Sequence, residues 1–238
     1  MRNSPLEDAI FKLNEEISVE LANTAATRRE AYRLRHQVYC IERGYEPGEN
    51  GIETDEYDDF ATHAVARWRQ TGEVVGTVRL ILPRNSLGND DFPMQRVCDP
   101  GVLRGLPRNT IGEVSRFALA KQMTQQVRCM SAETSSLLRL ALIRGAVWLS
   151  AEAGHTHWVA MMEPTLLRLL RATGIHFTPL GPTIEYHGLR QPAAAELVPT
   201  MARLAHEQPI VWGFITRYGS WYSGPAARQK DSMEALAA

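Results

Sequence analysis

The pattern of apolar and polar positions along the chain predicts a series of helices and strands. Residues 4–7 combine a serine, a proline and a glutamate in a helix-start signature, and apolar residues recur at helical spacing over residues 6–17. A short alternating segment follows at residues 17–22. A second helix start at residues 27–30 predicts a helix that continues to about Arg43 and ends before a glycine.

The second predicted helix has two different faces. Helical spacing places its apolar residues on one core stripe, which consists of Ala31, Leu34, Val38 and Ile41. Arg35 and Tyr39 are four residues apart and therefore share another face. That face either looks into a cleft or exposes a solvated arginine beside a half-buried tyrosine.

A hairpin with an arginine in its second strand is predicted next. Residues 62–68 and 73–82 have strand patterns, and residues 69–72 between them are typical of a turn. Arg79 stands in the middle of the apolar second strand and therefore needs a carboxylate partner. The preceding loop supplies candidates, namely Asp55, Glu56, Asp58 and Asp59. Three roles are open for these carboxylates: holding a cationic group, binding a hard metal or being solvated. Because the EF-hand spacing is absent, we predict no metal site.

The most unusual mixture of residues is the short apolar strand pattern at residues 111–119. It carries Glu113 and Arg116 inside an apolar run, where charges are costly to bury unless they are paired. One interpretation is a structural ion pair at the edge of a sheet, and the other is a catalytic site. Side chains alternate along a regular strand, so both residues face one cleft only if the strand has a bulge between them.

The C-terminal half continues the alternation of helices and strands. We predict a helix over residues 132–153, a strand over 156–162, a helix over 164–173 and strand-like pieces near 175–180 and 183–187. Pro192 and Pro209 are interpreted as helix starts, which makes about 190–222 a helical extension. The whole order predicts one α/β (α+β) domain over residues 1–222, with a mixed, mostly antiparallel central sheet flanked by helices. Residues 223–238 are small and polar and are predicted to be disordered.

Composition and charge argue against several classes of protein. The chain has 238 residues, and Lys+Arg 26 against Asp+Glu 27 gives a net charge of -1, which does not suit a protein that coats nucleic acid or an anionic membrane. The cysteines Cys40, Cys98 and Cys129 are far apart and predict neither a disulfide framework nor a cysteine zinc site. The sequence has no apolar leader and no run of about eighteen apolar residues, so we expect a cytoplasmic protein without a transmembrane segment.

Five blocks of polar residues occur in an order that resembles a known enzyme family. They are Arg35 with Tyr39, Tyr45, residues 55–58, residues 76–80 and residues 113–117. The series resembles the autoinducer-synthase branch of the GNAT acyltransferases, which includes acyl-homoserine-lactone synthases and N-acyl amino acid synthases. The blocks at residues 39–44, 75–80 and 92–98 look most like the PEP-CTERM/exosortase system-associated acyltransferases within that branch. Tyr39 and Tyr45 stand where lactone synthases usually have phenylalanine and tryptophan, which speaks against a lactone product.

The resemblance implies a GNAT fold in which an acyl thioester lies in a V-shaped gap between two central strands. It implies no tightly bound cofactor, an acyl-phosphopantetheine thioester on acyl carrier protein or coenzyme A as co-substrate, and a small amine such as an amino acid or S-adenosylmethionine as acceptor. Ordinary GNAT enzymes hold the coenzyme A pyrophosphate with a glycine-rich loop, because backbone N–H groups need close approach. Residues 121–128 contain no glycine, so acyl carrier protein is the favoured donor and partner. Basic residues that either meet its acidic surface or are merely solvated are Lys121, Arg128, Arg139 and Arg144.

The same resemblance implies which residues are functional. Glu113 is the candidate catalytic base, which accepts a proton from the attacking amine. The substrate-binding candidates are Arg35, Tyr39, Tyr45, Asp55, Asp58, Arg79, Ser115, Arg116 and Phe117. An arginine close to Glu113 would lower its pKa and weaken it as a base. The implied function is transfer of a fatty acyl group to an amino acid amine; the alternatives are a lactone synthase that uses S-adenosylmethionine and a non-catalytic module that binds an acyl carrier protein or an acyl chain.

Overall fold

The computed structural model describes residues 4–84, 91–99, 101–120 and 132–222, with side chains from residue 137 onwards in the last range. Its helices are α1 (Pro5–Glu16), α2 (Ala25–Arg35), α3 (Pro93–Val97), α4 (Ala132–Ala153), α5 (Pro164–Ala172), α6 (Leu197–Glu207) and α7 (Pro209–Thr216). Its strands are β1 (Ile17–Leu21), β2 (Ala61–Trp68), β3 (Val74–Ile81), β4 (Ile111–Leu119), β5 (His157–Met162), β6 (Thr178–Pro179), β7 (Ile184–Glu185) and β8 (Leu189–Glu196). The predictions for Lys121, Arg128 and residues 223–238 concern positions outside the described ranges.

The strands of the described chain form one sheet in the order β1-β2-β3-β4-β5-β8-β6, with β7 paired to β8. Every neighbouring pair is antiparallel except β4 and β5, which are parallel. The predicted mixed, mostly antiparallel sheet flanked by helices is thereby confirmed. β4 and β5 pair only between residues 111–113 and 157–159, so the two strands separate beyond that point and a gap opens between them.

Helices cover both faces of the sheet. α4 crosses β1 to β4 on one face together with α1 and α7, and the side chains of Val78 and Leu80 are fully buried beneath it. Gly145 lets α4 approach closely, because a Cβ atom there would lie 2.9 Å from the Cβ atom of Ala64. α2 lies against the other face, to which Arg79 points. Side-chain alternation in β3 thus puts Val78 and Leu80 under α4 and Arg79 on the side of α2.

The β2–β3 hairpin and α4 match the prediction. α4 runs over Ala132–Ala153 and ends at Gly154, which has a φ of +68°. Leu138 and Leu142 on this helix are fully buried, and each contributes about 1.5–3 kcal/mol through the apolar surface removed from water. Although α4 is 22 residues long, no described helix is both long and apolar enough to span a membrane.

The second predicted helix departs from regular α geometry. Its N-cap is Thr24, whose side chain accepts a hydrogen bond from the backbone N–H of Thr27 at 3.1 Å. After Arg35 the helix continues as a π-helical segment, His36–Glu42. A π turn contains an extra residue, so it rotates the following side chains relative to α-helical spacing. Ile41, which that spacing placed in the core, is consequently 63% exposed, and this prediction was wrong.

The interpretation of Pro192 as a helix start was also wrong. Pro192 lies inside β8, which pairs with β5 on one side and with β6 and β7 on the other. The alanines that follow it, residues 193–195, favour helices by intrinsic propensity, but pairing with β5 buries them in the sheet. The predicted helical extension therefore begins only at Leu197, whereas Pro209 does start α7.

Candidate active site

A bulge in β4 brings Glu113 and Arg116 to the same cavity. Two consecutive pairs of the β3–β4 ladder are two residues apart on β3 but three apart on β4, so β4 contains one extra residue between Ser115 and Ala118. Arg116 lies in this bulge with a φ of +48°, in the left-handed region where residues other than glycine are uncommon. Such a backbone costs about 1–3 kcal/mol and persists only where surrounding contacts hold it. Glu113 and Arg116 both line the cavity as a result.

Glu113 is a buried carboxyl group that forms no ion pair within the described residues. It is 3% exposed, and its Oε2 accepts a hydrogen bond from the backbone N–H of Met94 at 3.2 Å. Burial raises the pKa of Glu113 to about 7, although the Met94 N–H and the charges of Arg79 and Arg116 act in the opposite direction. The carboxylate is therefore a base near neutral pH. Arg116 pairs with other carboxylates, so the interpretation of Glu113 and Arg116 as a structural ion pair is wrong.

The raised pKa of Glu113 predicts a pH-dependent stability that the Glu113→Gln variant lacks. The neutral carboxyl is favoured in the folded protein, so its stabilising contribution is complete below pH 4.5 and is lost as the pH rises through about 7. The rise of the Glu113 pKa from 4.5 to about 7 corresponds to a change of about 3 kcal/mol in the free energy of unfolding between the two ends of this pH window. We expect the always neutral Glu113→Gln variant to gain stability over the unmutated protein across this window, measured as free energies of unfolding in urea. A difference that does not change with pH would contradict the raised pKa.

Behind the cavity wall lies a buried network of arginines and carboxylates. Glu53, which is 3% exposed, accepts hydrogen bonds from Arg35 Nε at 2.6 Å and from Arg116 Nη2 at 2.8 Å. Asp55 accepts hydrogen bonds from Arg79 at 2.6 Å and from Arg116 at 3.0 Å. Arg35 and Arg79 are fully buried, and a buried guanidinium is tolerated only with such partners. The carboxylates thus fix three arginines on the α2 side of the sheet.

Asp58 joins the two fully buried arginines of this network. It accepts hydrogen bonds from Arg35 at 2.7 and 3.0 Å, from Arg79 at 2.9 Å and from the backbone N–H of Asp55 at 2.8 Å. Burial by itself raises the pKa of Asp58, but the hydrogen bonds and charge of Arg35 outweigh it and hold the pKa well below its usual range. His63 lies 3.5 Å from Asp58, and burial together with Arg35 lowers its pKa to about 3, so the imidazole is neutral.

The residues predicted to bind substrate fall into two layers. The first layer lines the cavity and consists of Tyr39, Tyr45, Arg79, Ser115, Arg116 and Phe117, together with the predicted base Glu113. In this layer Ser115 Oγ accepts a hydrogen bond from Arg79 Nε at 3.0 Å, and the ring centre of Tyr39 lies 5.3 Å from the guanidinium carbon of Arg116. The second layer lies behind the first and consists of Arg35, Asp55 and Asp58. Asp55 and Asp58 accept hydrogen bonds from the arginines of the first layer, and Arg35 donates to Asp58.

One cavity of about 550 Å³ combines an apolar end with a polar end. The apolar end is lined by side chains of β5, α4, α5 and the segment before β6, including Ile143, Ala146, Trp158, Leu166, Leu170 and Phe177. The polar end is lined by Arg43, Tyr45, Glu46, Arg116, Glu163, His187 and Arg190. Glu113 is the last residue of β4 that pairs with β5, so it lies where the gap between the strands begins. A long apolar group and a charged group therefore fit into the same cavity.

Several site residues were not identified from the sequence. They are Glu53 and, at the polar end of the cavity, Arg43, Glu46, Glu163, Tyr186, His187 and Arg190. For Glu53 the only signal was its place in the acidic loop, which does not indicate the direction of its side chain. The others come from the segment after α2, the start of α5 and the β7–β8 hairpin, which only the fold brings together.

The fold and the cavity define the class of this protein. A mostly antiparallel sheet, flanked by helices and opening between two parallel strands over a cavity, is that of a GNAT-like acyltransferase. The family model for the N-acyl amino acid synthase FeeM matches residues 30–198, and the chain belongs to this family. It is therefore an acyltransferase.

Solved structures of two kinds of acyltransferase resemble the chain. FeeM, an N-acyl amino acid synthase from uncultured soil microbes, gives a TM-score of 0.60 with 18% sequence identity over 80% of this chain and 96% of FeeM. BjaI, a CoA-dependent acyl-homoserine lactone synthase whose structure was solved with MTA, gives a TM-score of 0.60 with 24% sequence identity over 80% of this chain and 88% of BjaI. The AHL synthase LasI gives a TM-score of 0.57 with 19% sequence identity over 75% of this chain and 88% of LasI. Comparison with curated protein sequences finds no significant match.

Proposed function

We propose that the protein transfers a fatty acyl group from an acyl-phosphopantetheine thioester to the amine of an amino acid. The observation that carries this proposal is the cavity, which is lined by apolar side chains and by charged side chains and which also contains Glu113. An acyl chain suits the apolar end, and a zwitterionic acceptor suits the charged end. Membership of the FeeM family supports an N-acyl amino acid as the product. We also propose that residues 1–222 act as one catalytic domain.

The proposed reaction is direct attack of a neutral amine on the thioester carbonyl. The new C–N bond forms as the C–S bond breaks, and the amine proton passes through Glu113 to the departing thiolate. A pKa of about 7 suits Glu113 to this task, because a general base works best when its pKa lies near the operating pH. Backbone N–H groups of β4 beyond Glu113 have no β5 partner and are candidates for holding the developing oxyanion.

We further propose acyl carrier protein as the bearer of the thioester. The support is the absence of glycine from residues 121–128, where a pyrophosphate-binding loop would need it. Arg139 lines the cavity and remains a candidate for contact with the acidic carrier. Arg144 instead bonds to Asn14 at 2.9 Å and lies over Phe214, beside α1 and α7.

The similarity of residues 39–44, 75–80 and 92–98 to PEP-CTERM/exosortase system-associated acyltransferases supports a role in such a system.

The test is a reconstituted assay with mass-spectrometric detection of the product. The purified chain is incubated with a series of acyl-carrier-protein and acyl-CoA donors and with a panel of amino acids or S-adenosylmethionine. We expect N-acyl amino acids, formed faster from the carrier-protein donor. Formation of a homoserine lactone, and only with S-adenosylmethionine, would mean that the acceptor is S-adenosylmethionine and not an amino acid. Donor binding without turnover on any acceptor would contradict the proposal.

Ala146 provides a test of the acyl-chain site. It is buried on α4 and lines the apolar end of the cavity, so Ala146→Leu would occupy space proposed for the end of the chain. Excluding two methylenes costs about 1.6 kcal/mol, or roughly 15-fold in kcat/KM for the longest donor that the unmutated protein accepts. We expect shorter donors to be unaffected. The exposed Ala153→Leu variant on the same helix is the control, and an equal loss with all donors would contradict this position of the chain.

A further inference from the structure

Two arginines at the polar end of the cavity share one carboxylate oxygen. Nη1 of Arg43 lies 2.8 Å and Nη1 of Arg190 lies 3.0 Å from Oε1 of Glu163. All three side chains line the cavity. The nearby carboxylate of Glu46 lies 3.6 Å from Arg116, which belongs to the neighbouring network. Two guanidinium groups thus surround the single carboxylate of Glu163.

Both guanidinium groups keep N–H donors for a ligand. Beyond Glu163, Nη1 of Arg43 reaches Tyr45 Oη at 3.4 Å, and Nη2 of Arg190 donates to the backbone carbonyl of His187 at 2.7 Å. Within the part of the chain that the structure describes, Nε and Nη2 of Arg43 and Nε of Arg190 have no acceptor. A planar guanidinium offers paired donors that match the two oxygens of a carboxylate.

The surroundings hold these two arginines in place, since Arg43 lies over the ring of Tyr45 and Arg190 donates to the backbone carbonyl of His187. The ring of Tyr45 stacks on that of His187 with centroids 5.0 Å apart, which joins the segment after α2 to the β7–β8 hairpin. Thr165 in the first turn of α5 lines the cavity beside them, and the N-terminus of that helix adds positive potential. The arginines are therefore positioned before any ligand arrives.

We propose that Arg43 and Arg190 bind the α-carboxylate of the acceptor amino acid. Glu163 is a positioning residue that holds the two guanidinium groups together and neutralises one of their charges. The acceptor amine then points toward Glu113, at the start of the gap between β4 and β5. This inference rests on the proposed function and adds that a free α-carboxylate is required for efficient acceptance.

The experiment compares an amino acid acceptor with its α-carboxamide in steady-state kinetics, at saturating acyl-carrier-protein donor. The unmutated protein should prefer the free acid at least about 10-fold. Arg190→Gln and Arg43→Gln should each raise KM for the acid about 10- to 100-fold, remove the preference over the amide and leave KM for the donor unchanged. Arg168→Gln, an exposed arginine on α5, is the matched control.

The Glu163→Gln variant separates ligand binding from a purely structural role. It removes the competing negative charge, so KM for the free acid should fall about two- to fivefold while KM for the amide stays constant. Losses of melting temperature in all three variants, with KM rising equally for acid and amide, would overturn the inference in favour of a structural tie. A raised KM for the donor alone would overturn it in favour of a phosphate site. An active protein that accepts acid and amide equally would refute only this inference, whereas no acyl transfer to any amine would refute the proposed function.

Discussion

Glu113→Gln lowers kcat/KM for acyl transfer about 10²- to 10⁴-fold in our expectation, because the variant loses the general base. The buried carboxyl group lies at the point where β4 and β5 separate, with a pKa of about 7. In the unmutated protein kcat/KM should therefore rise as the pH increases through about 7, since only the carboxylate accepts a proton. The variant should lack this inflection near pH 7 and keep only the rise that deprotonation of the acceptor amine causes in both proteins. Initial rates over a range of pH, with saturating donor, measure both effects.

Two controls show whether such a loss is chemical. Glu56→Gln changes an exposed glutamate on the loop before β2 and should leave kcat/KM unaltered. The melting temperature of Glu113→Gln should not fall, because glutamine stays neutral in the buried site. Turnover of Glu113→Gln at the unmutated rate would remove Glu113 as the base and leave it an orienting role.

The second large effect is expected for Glu53→Gln, which breaks the buried ion network. Glu53 pairs with Arg35, which is fully buried, and with Arg116 in the left-handed bulge of β4. Removing one member of a buried ion pair leaves an uncompensated charge and typically costs about 3–5 kcal/mol. We expect a loss of this size in the free energy of unfolding in urea. Because Arg116 would lose a contact that holds its strained backbone, KM for the acceptor should rise as well.

The matched comparison is again Glu56→Gln. Glu56 pairs with Arg96 at the surface, where the side chains are 59% and 43% exposed, and such pairs contribute about 0–1 kcal/mol. Equal, small losses from Glu53→Gln and Glu56→Gln would mean that the buried network does not stabilise the fold. A large loss of stability with an unchanged KM for the acceptor would mean that the buried network stabilises the fold without contributing to substrate binding.

Local sequence signals predicted the elements that depend on neighbouring residues. The signals at the start of α1 (Ser4, Pro5 and Glu7), the turn between β2 and β3 and the glycine after α4 act within a few residues. They could therefore be recognised without knowing the fold. The position of Arg79 in an apolar strand also predicted a carboxylate partner, and the structure provides Asp55 and Asp58. In contrast, the buried alanines of β8 carry no local signal that distinguishes a strand from a helix.

The sequence by itself determined the helices and strands before β8, such as the β2–β3 hairpin and α4. It also determined the need of Arg79 for a carboxylate and the condition that a bulge must separate Glu113 from Arg116. Only the tertiary structure decided that β4 has this bulge, that Glu53 pairs with Arg116, and that Glu163 lies between two arginines. It also decided the pKa of Glu113, because burial outweighs the arginines. The physical reason is the same in each case. Burial, strand pairing and ion pairing depend on residues far apart in the chain, and the local pattern does not specify their distances.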